Sequence, residues 1–328
     1  MLARHMTPAL REELADLRSA LGASLADITR SGDKHPDSSI GVYAPDADSY
    51  QVFAPLLDGI IEEYHGRLLD TVPRPDLSAL PASAAFSDDR IVSTRIRVAR
   101  NLAGVAFGGN QDRASRVAVA DRIADVLAEL PEEHRGVYRH LGDIAEAEQV
   151  TMRAEHRLFQ QGDRFLEAAG LNRDWPAGRA VFESADGVAM VWVGEEDHLR
   201  IMALQAGGDL PAVFSRMGAL ATTLGQTLPF AWDARRGYLT SCPTNLGTGL
   251  RASVHVCLVG LGRDPDALHA RARELNLQVR GTHGEHTESE GGVYDVSNSQ
   301  RLGLTERAAV MVLANGLRVL LSEDTAAL

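Results

Sequence analysis

Cys242 stands directly before Pro243 and two residues ahead of Thr244, at the head of a run that continues to His255. A residue preceding proline is pushed toward extended angles, so this thiol belongs in a turn rather than a helix. The Thr244 hydroxyl is placed to hydrogen-bond the sulfur and favour a thiolate. Beyond the turn, Arg251 to Val256 alternates. One strand face carries Arg251, Ser253 and His255, and the other carries Ala252, Val254 and Val256. A thiolate beside an arginine-bearing strand suits a site for a cation and for phosphates.

Further arginines occupy similar positions. Arg95 and Arg97 share one face of the strand-like Ser93-Thr94-Arg95-Ile96-Arg97, Arg200 closes the run from Glu195, and Arg280 ends a short apolar strand. The guanidinium fork is planar, permanently charged and matched to phosphate oxygens. Any one of these residues alone would read as a surface ion pair; five on short apolar strands read as a triphosphate grip. Glu195-Glu196-Asp197 and Glu285, the latter in the Gly-rich run 281–292, add carboxylates. Two carboxylates and a thiolate could clamp a planar cation, and one carboxylate could accept its proton. The histidine spacing fits no helical metal-binding pair, and the residues around Cys242 fit no cysteine-protease signature.

Composition narrows the chemistry further. The chain has 328 residues and a formal charge of -12, which argues against nucleic acid as the main partner. Lys34 is the single lysine, so a Walker-type or Schiff-base lysine is excluded and phosphate chemistry must run on arginine. Two cysteines, Cys242 and Cys257, make no disulfide framework. No apolar run is long enough to span a membrane, and the first residues lack a signal peptide's apolar core, so a cytoplasmic protein is expected.

The positioning elements follow from periodicity. Leu10, Leu14, Leu17 and Leu21 predict one helical stripe, and Phe53, Leu57, Ile60, Ile61 and Tyr64 another. Residues 31–46 between them read as a long, functional loop, and 71–89 as a Pro/Ala/Ser-rich linker. Strands are expected at Ile91 to Val98, with Val92, Ile96 and Val98 facing inward, and at 188–193, 199–204 and 277–280. Asp209 and Thr305 should cap helices striped by Phe214, Met217, Leu220 and Leu224, and by Val310, Leu313, Leu317 and Leu320. Strands mixed with helices but lacking a βαβ period predict α+β: a small all-helical N-terminal domain (1–70), a linker (71–89), and a larger domain (90–328) with an antiparallel β-sheet flanked by helices.

Taken together, Ser93 to Arg97, Glu195 to Arg200, Cys242 to His255, Val279 to Glu288 and Gly41 to Asp46 resemble the phosphagen (guanidino) kinase family, its arginine kinases most closely. The resemblance spans roughly residues 37 to 305, with the motifs in family order. It implies reversible transfer of the ATP γ-phosphoryl group to a guanidino nitrogen, with free L-arginine as the expected substrate and ATP buffering as the role. It implies ATP/ADP with Mg2+, the metal held mainly by nucleotide phosphates and water rather than by protein ligands. The implied nucleotide site comprises Ser93, Thr94, Arg95, Ile96, Arg97, His156, Arg200, Arg251, Ala252, Ser253, Val254, His255, Arg280, Gly281, Thr282, His283, Gly284 and Glu285, with His156 and His255 near the nucleoside. Glu196, Glu285 and Cys242 are implied as catalytic contacts to the guanidinium. Ser39, Ile40, Gly41, Val42 and Tyr43 are implied as the specificity loop, and Asp37 with Arg164 as a pair tying that loop to the main domain.

Two departures stand out. His283 occupies a position where animal members carry arginine, and the linker and N-terminus are shorter. Alternative readings are a kinase for taurocyamine or a creatine-like guanidino compound, a protein-arginine kinase, and a nucleotide-binding regulator without turnover. The Tyr43 loop favours a small free substrate. A monomer or homodimer is expected.

Overall fold

The computed structural model describes residues 1–281 and 291–327. Five helices come first: α1 (Leu2–His5), α2 (Pro8–Leu14), α3 (Leu25–Lys34), α4 (Ser49–Val52) and α5 (Ala54–His65). The rest of the chain runs β1 (Ile91–Arg100), α6 (Arg113–Ala128), β2 (Gly136–His140), α7 (Glu146–Ala154), α8 (Arg164–Ala168) and β3 (Ala180–Ser184). Then follow β4 (Ala189–Val193), β5 (Leu199–Ala206), α9 (Leu210–Thr227), β6 (Trp232–Asp233), β7 (Gly237–Tyr238) and β8 (Leu250–Cys257). Last come α10 (Pro265–Glu274), β9 (Leu277–Arg280), β10 (Val293–Asn298) and α11 (Glu306–Ala326).

Eight strands form one antiparallel sheet in the order β2-β3-β4-β5-β1-β8-β10-β9. The expected α+β class therefore holds. The fold puts β1 and β8, far apart in sequence, side by side at the sheet centre. One sheet face carries Ile96, Val98, Ile201, Ala203, Ala252, Val254 and Val296 into the main core. There they meet the apolar stripes of α9 and α11, whose Asp209 and Thr305 side chains cap the first turns as expected. On the opposite face, Val181, Met190, Trp192 and Met202 are covered by Met152 of α7 and by Leu158 and Phe159, and this cluster is confined to the β3-β4-β5 end. The remainder of that face is the floor of a cleft.

Three details differ from expectation. The first leucine stripe stops at Leu14, where α2 ends, and Leu17 and Leu21 are exposed. Residues 31–34 are the last turn of α3, because Ser24 and Asp27 form a reciprocal capping box that starts that helix. Val92 is exposed and Ile91 is buried instead, because the β1–β8 register shifts between Ile91 and Ser93 and reverses the facing there.

Segment 71–89 contains one short helical turn, Ala82–Ala84. It is fastened where Glu306 accepts the Asp76 N–H at 3.0 Å while pairing with the fully buried Arg100 at 3.3 Å. Removing one member of a buried pair strands the other charge. Glu306→Ala should therefore lower stability by about 3–5 kcal/mol, read as an earlier midpoint in urea unfolding.

Candidate active site

The strand register assembles the arginines. Arg97 of β1 is directly opposite Arg251 of β8, and Arg95 is opposite Ser253. Ser93 faces His255, which in turn faces Asp295 of β10, and Asp295 faces Arg280 of β9. Arg200 of β5 lies on the same face, with its guanidinium 5.6 Å from the centre of the Trp192 ring. Alternation carries Thr94, Ile96, Ala252 and Val254 to the other side, where they are buried. These four, included in the expected nucleotide set, contribute strand geometry rather than side-chain contact to the cleft.

The electrostatics show how closely the cations converge. Burial, followed by the proximity of Arg251, lowers Arg95 to about 10. Burial and then Arg200, Arg95 and Arg251 push Arg97 well below the usual arginine range. Among the described residues neither forms an ion pair. Arg251 binds Asp295 at 2.9 Å, and Arg200 binds Glu195 at 2.9 Å. Like charges directly opposite on adjacent strands are destabilising, so this face is built for an anion.

Beside it, Ser93, Arg95, His156, Ser253 and His255 line a cavity of about 210 Å³. The His156 and His255 rings are 6.1 Å apart. Arg280 reaches Gln278 at 3.1 Å. Gly281 ends strand β9's continuation among the described residues, and the expected contributions of Thr282, His283, Gly284 and Glu285 lie outside the described residues.

The acid and thiol corner is tied together through Ser241. Its N–H donates to Asp197 Oδ1 at 2.7 Å, and its hydroxyl donates to the Glu196 carbonyl at 3.0 Å. Asp197 also accepts from Asn101 at 2.6 Å. Glu196 is 3.6 Å from Arg200 and 3.5 Å from the Asn245 amide. Burial, then Asp197 and Glu195, raise the Glu196 carboxyl above the usual range. The Cys242–Thr244 contact expected from sequence is present at 3.1 Å. Its pull is outweighed, because burial and then Glu196 push the Cys242 thiol up to about 12. The thiolate inferred from that contact alone does not follow.

The Tyr43 segment closes the far wall. The Ala44 N–H donates to Ser241 O at 2.7 Å, the Tyr43 N–H to Ile28 O at 3.1 Å, and the Gly32 N–H to Gly41 O at 3.0 Å. Gly41, at φ +76, packs so close to α1 and α3 that a Cβ would fall 2.8 Å from Leu2 Cβ. Ile40 and Val42 are buried in the helical core, Ser39 O accepts from the chain's amino group at 2.9 Å, and Tyr43 borders the cleft. Burial, then Cys242 and Glu196, raise the Tyr43 phenol. Asp37 and Arg164 form the expected ion pair.

Sequence reasoning missed Asp295 and Arg301. Arg301 binds Thr244 O at 2.7 Å and Asn245 Oδ1 at 2.8 Å. Burial, then its neighbours Arg251 and Arg280, depress its pKa, while Tyr64 and Cys242 oppose them. Each of the two is a lone charged residue with no local pattern to flag it.

Two histidines, His198 buried and His65 half-buried, brace this corner. His198 accepts the Leu102 N–H at 3.0 Å and donates to Ala106 O at 2.9 Å, and His65 donates to Pro243 O at 2.9 Å. Burial lowers both from 6.5 to about 4. The folded state therefore rejects protons that the unfolded chain accepts. The contribution of these two histidines should be complete above pH 6.5 and be lost as the pH drops toward 4, by roughly 3 kcal/mol per histidine. In urea titrations at stepped pH, the stability of His65→Gln, which keeps a donor for Pro243, should gain roughly 3 kcal/mol relative to the unsubstituted protein between pH 6.5 and 4.

Among known proteins, residues 118–327 match the family model of the ATP:guanido phosphotransferase C-terminal catalytic domain, and residues 1–62 match that of its N-terminal domain. The chain is 42% identical to arginine kinase of Limulus polyphemus, over 100% of this chain and 93% of that protein. It is 41% identical to arginine kinase of Polybetes pythagoricus over the same shares. A solved lombricine kinase superposes with a TM-score of 0.94 at 33% identity, covering 99% of this chain and 92% of that one. The duplicated taurocyamine kinase of Schistosoma mansoni, solved with transition-state analogue components, gives a TM-score of 0.92 at 34% identity over 99% of this chain and 46% of that one. On sequence, fold and site geometry, the chain belongs to the ATP:guanido phosphotransferase, or phosphagen kinase, family.

Proposed function

We propose that the protein transfers the γ-phosphoryl group reversibly between Mg·ATP and a guanidino nitrogen of free L-arginine. The observation that carries this reading is Arg97 facing Arg251 in register, with Arg95, Arg200 and Arg280 around them, next to the Glu196–Cys242 corner. Such a face asks for a polyanion, and the adjoining corner asks for a cation. Magnesium enters as part of the nucleotide substrate, coordinated by phosphates and water.

Phosphoryl transfer asks chiefly for positioning and charge neutralisation. The arginines hold the β- and γ-phosphates, while His156 and His255 border the nucleoside cavity. A guanidinium is a poor nucleophile because its pKa exceeds about 12. Glu196, together with Glu285 as the family resemblance implies, orients it and takes the departing proton. A carboxyl already raised by burial is suited to that role. A nitrogen–phosphorus bond forms as the bond from γ-phosphorus to the bridging oxygen breaks, and ADP leaves with that electron pair. Beside a bound guanidinium the Cys242 thiolate becomes favourable, so its part is electrostatic contact rather than attack.

The resemblance to arginine kinases along the full length supports arginine, as does the short Tyr43 loop, whose backbone would receive the substrate carboxylate. The similarity to lombricine and taurocyamine kinases supports a different guanidino compound as the second reading. A coupled assay of ADP release with arginine, lombricine, taurocyamine, creatine and an arginine-rich protein in parallel decides between them. Arginine should give the highest kcat/KM, and turnover confined to another compound or to the protein overturns the assignment. Glu196→Gln should lower kcat by about 100-fold or more while nucleotide affinity stays within roughly threefold. Cys242→Ser should slow turnover without abolishing it.

A further inference from the structure

Arg30 lies on α3, outside the cleft, and no catalytic step above uses it. Its Nη2 donates to two main-chain carbonyls of the sheet domain, Gly109 O and Ala169 O, which belong to separate loops. The nearest carboxylate, Asp27, is 3.8 Å from Nη1 and is already engaged by the N–H and hydroxyl of Ser24. The guanidinium is therefore held mainly by carbonyls across the domain boundary.

The receiving surface is shaped for that head group. A Cβ on Gly170, which has φ +79, would fall 2.6 Å from Arg30 Nη2 and 3.0 Å from Gly109 O. A Cβ on Gly109 would fall 2.8 Å from Ala169 O and 3.4 Å from Arg30 Nη2. Two glycines on two loops thus clear one slot for a planar cation. The slot connects to reactive groups on both sides. On the helical side, Ile28 and Gly32 of α3 bind the backbone of Tyr43 and Gly41, as described above. On the sheet side, Gly108 sits so near the acidic run that a Cβ there would be 3.6 Å from Glu196 O. Gln111 meets His198 Nε2 at 3.2 Å in the same loop.

We propose that Arg30 is a positioning residue: a guanidinium latch whose engagement with Gly109 O and Ala169 O sets the spacing between the Tyr43 loop and the Glu196 corner. The guanidino substrate spans that spacing, whereas the nucleotide sits on the sheet alone. The latch rests on the phosphotransfer reading of the cleft but not on which guanidino compound fills it.

The full-length chain with Arg30→Met, Arg30→Lys, Gly170→Ala and the double change tests this in the coupled assay. Arg30→Met should raise KM for the guanidino substrate about tenfold, leave KM for Mg·ATP within about twofold, and move the melting temperature by only a few degrees. Arg30→Lys should recover most of the affinity, because an ammonium can donate to both carbonyls. Gly170→Ala should give the same signature from the opposite domain, and Arg30→Met should cost much less in its background. An unchanged guanidino KM, a loss shared equally by both substrates, or fully additive changes overturns the latch. Should the unsubstituted protein turn over no guanidino compound, the proposed function fails and X-ray scattering still judges the latch. Arg30→Met and Gly170→Ala should then enlarge the radius of gyration, and unaltered radii overturn it.

Discussion

The constraint on which this structure rests is the placement of Arg97 opposite Arg251 on the neighbouring inner strands β1 and β8. Two guanidinium groups face each other there, half-buried or buried, and burial with Arg200 and Arg95 nearby depresses the pKa of Arg97. No packing benefit requires this. The sheet tolerates it because its other face, from Ile96 to Val254, is continuously apolar and backed by α9 and α11. The hydrophobic layer supplies the stability, and the cleft face stores an unfavourable field that a bound polyanion would relieve. This is preorganisation in its electrostatic sense, with the charges fixed before the ligand arrives.

The acidic corner answers that field without cancelling it. Glu195 and Asp295 each neutralise one arginine, while Asp197 is spent on the backbone of the thiol-bearing turn. Glu196, next in sequence to both Glu195 and Asp197, is thereby left in a buried and strongly negative setting that favours its protonated form. Three adjacent carboxylates thus have three separate tasks, set by which backbone and side-chain donors each one meets.

Much of the site was legible in the chain, and the reason is periodicity. Alternation in Ser93 to Arg97 and Arg251 to Val256 sorted charged from apolar faces before any coordinates, and both strands lie as expected. What stayed hidden needed tertiary information. Arg301 follows a strand end and reads as any exposed arginine until the 243–245 turn is folded against it. Asp295 becomes meaningful only once β10 pairs with β8. The leucine stripe beyond Leu14 misled because periodicity persists in sequence after the backbone has left the helix. Val92 misled because a single register shift exchanges the two faces of a strand.

Cys242 is buried in the same apolar cluster as Ile40, Val42, Phe53 and Ile60 of the helical part, together with Leu239, Leu246 and Leu302 from the sheet part. Segment 39–43 and the Cys242 thiol are therefore repacked together or not at all. Exchanging the 39–43 segment with that of a relative, as a modular graft of substrate choice, would leave foreign side chains against the 239–246 turn and misplace the sulfur. The transferable unit in this architecture is the loop with its opposing turn, two stretches of chain some two hundred residues apart that share one hydrophobic core.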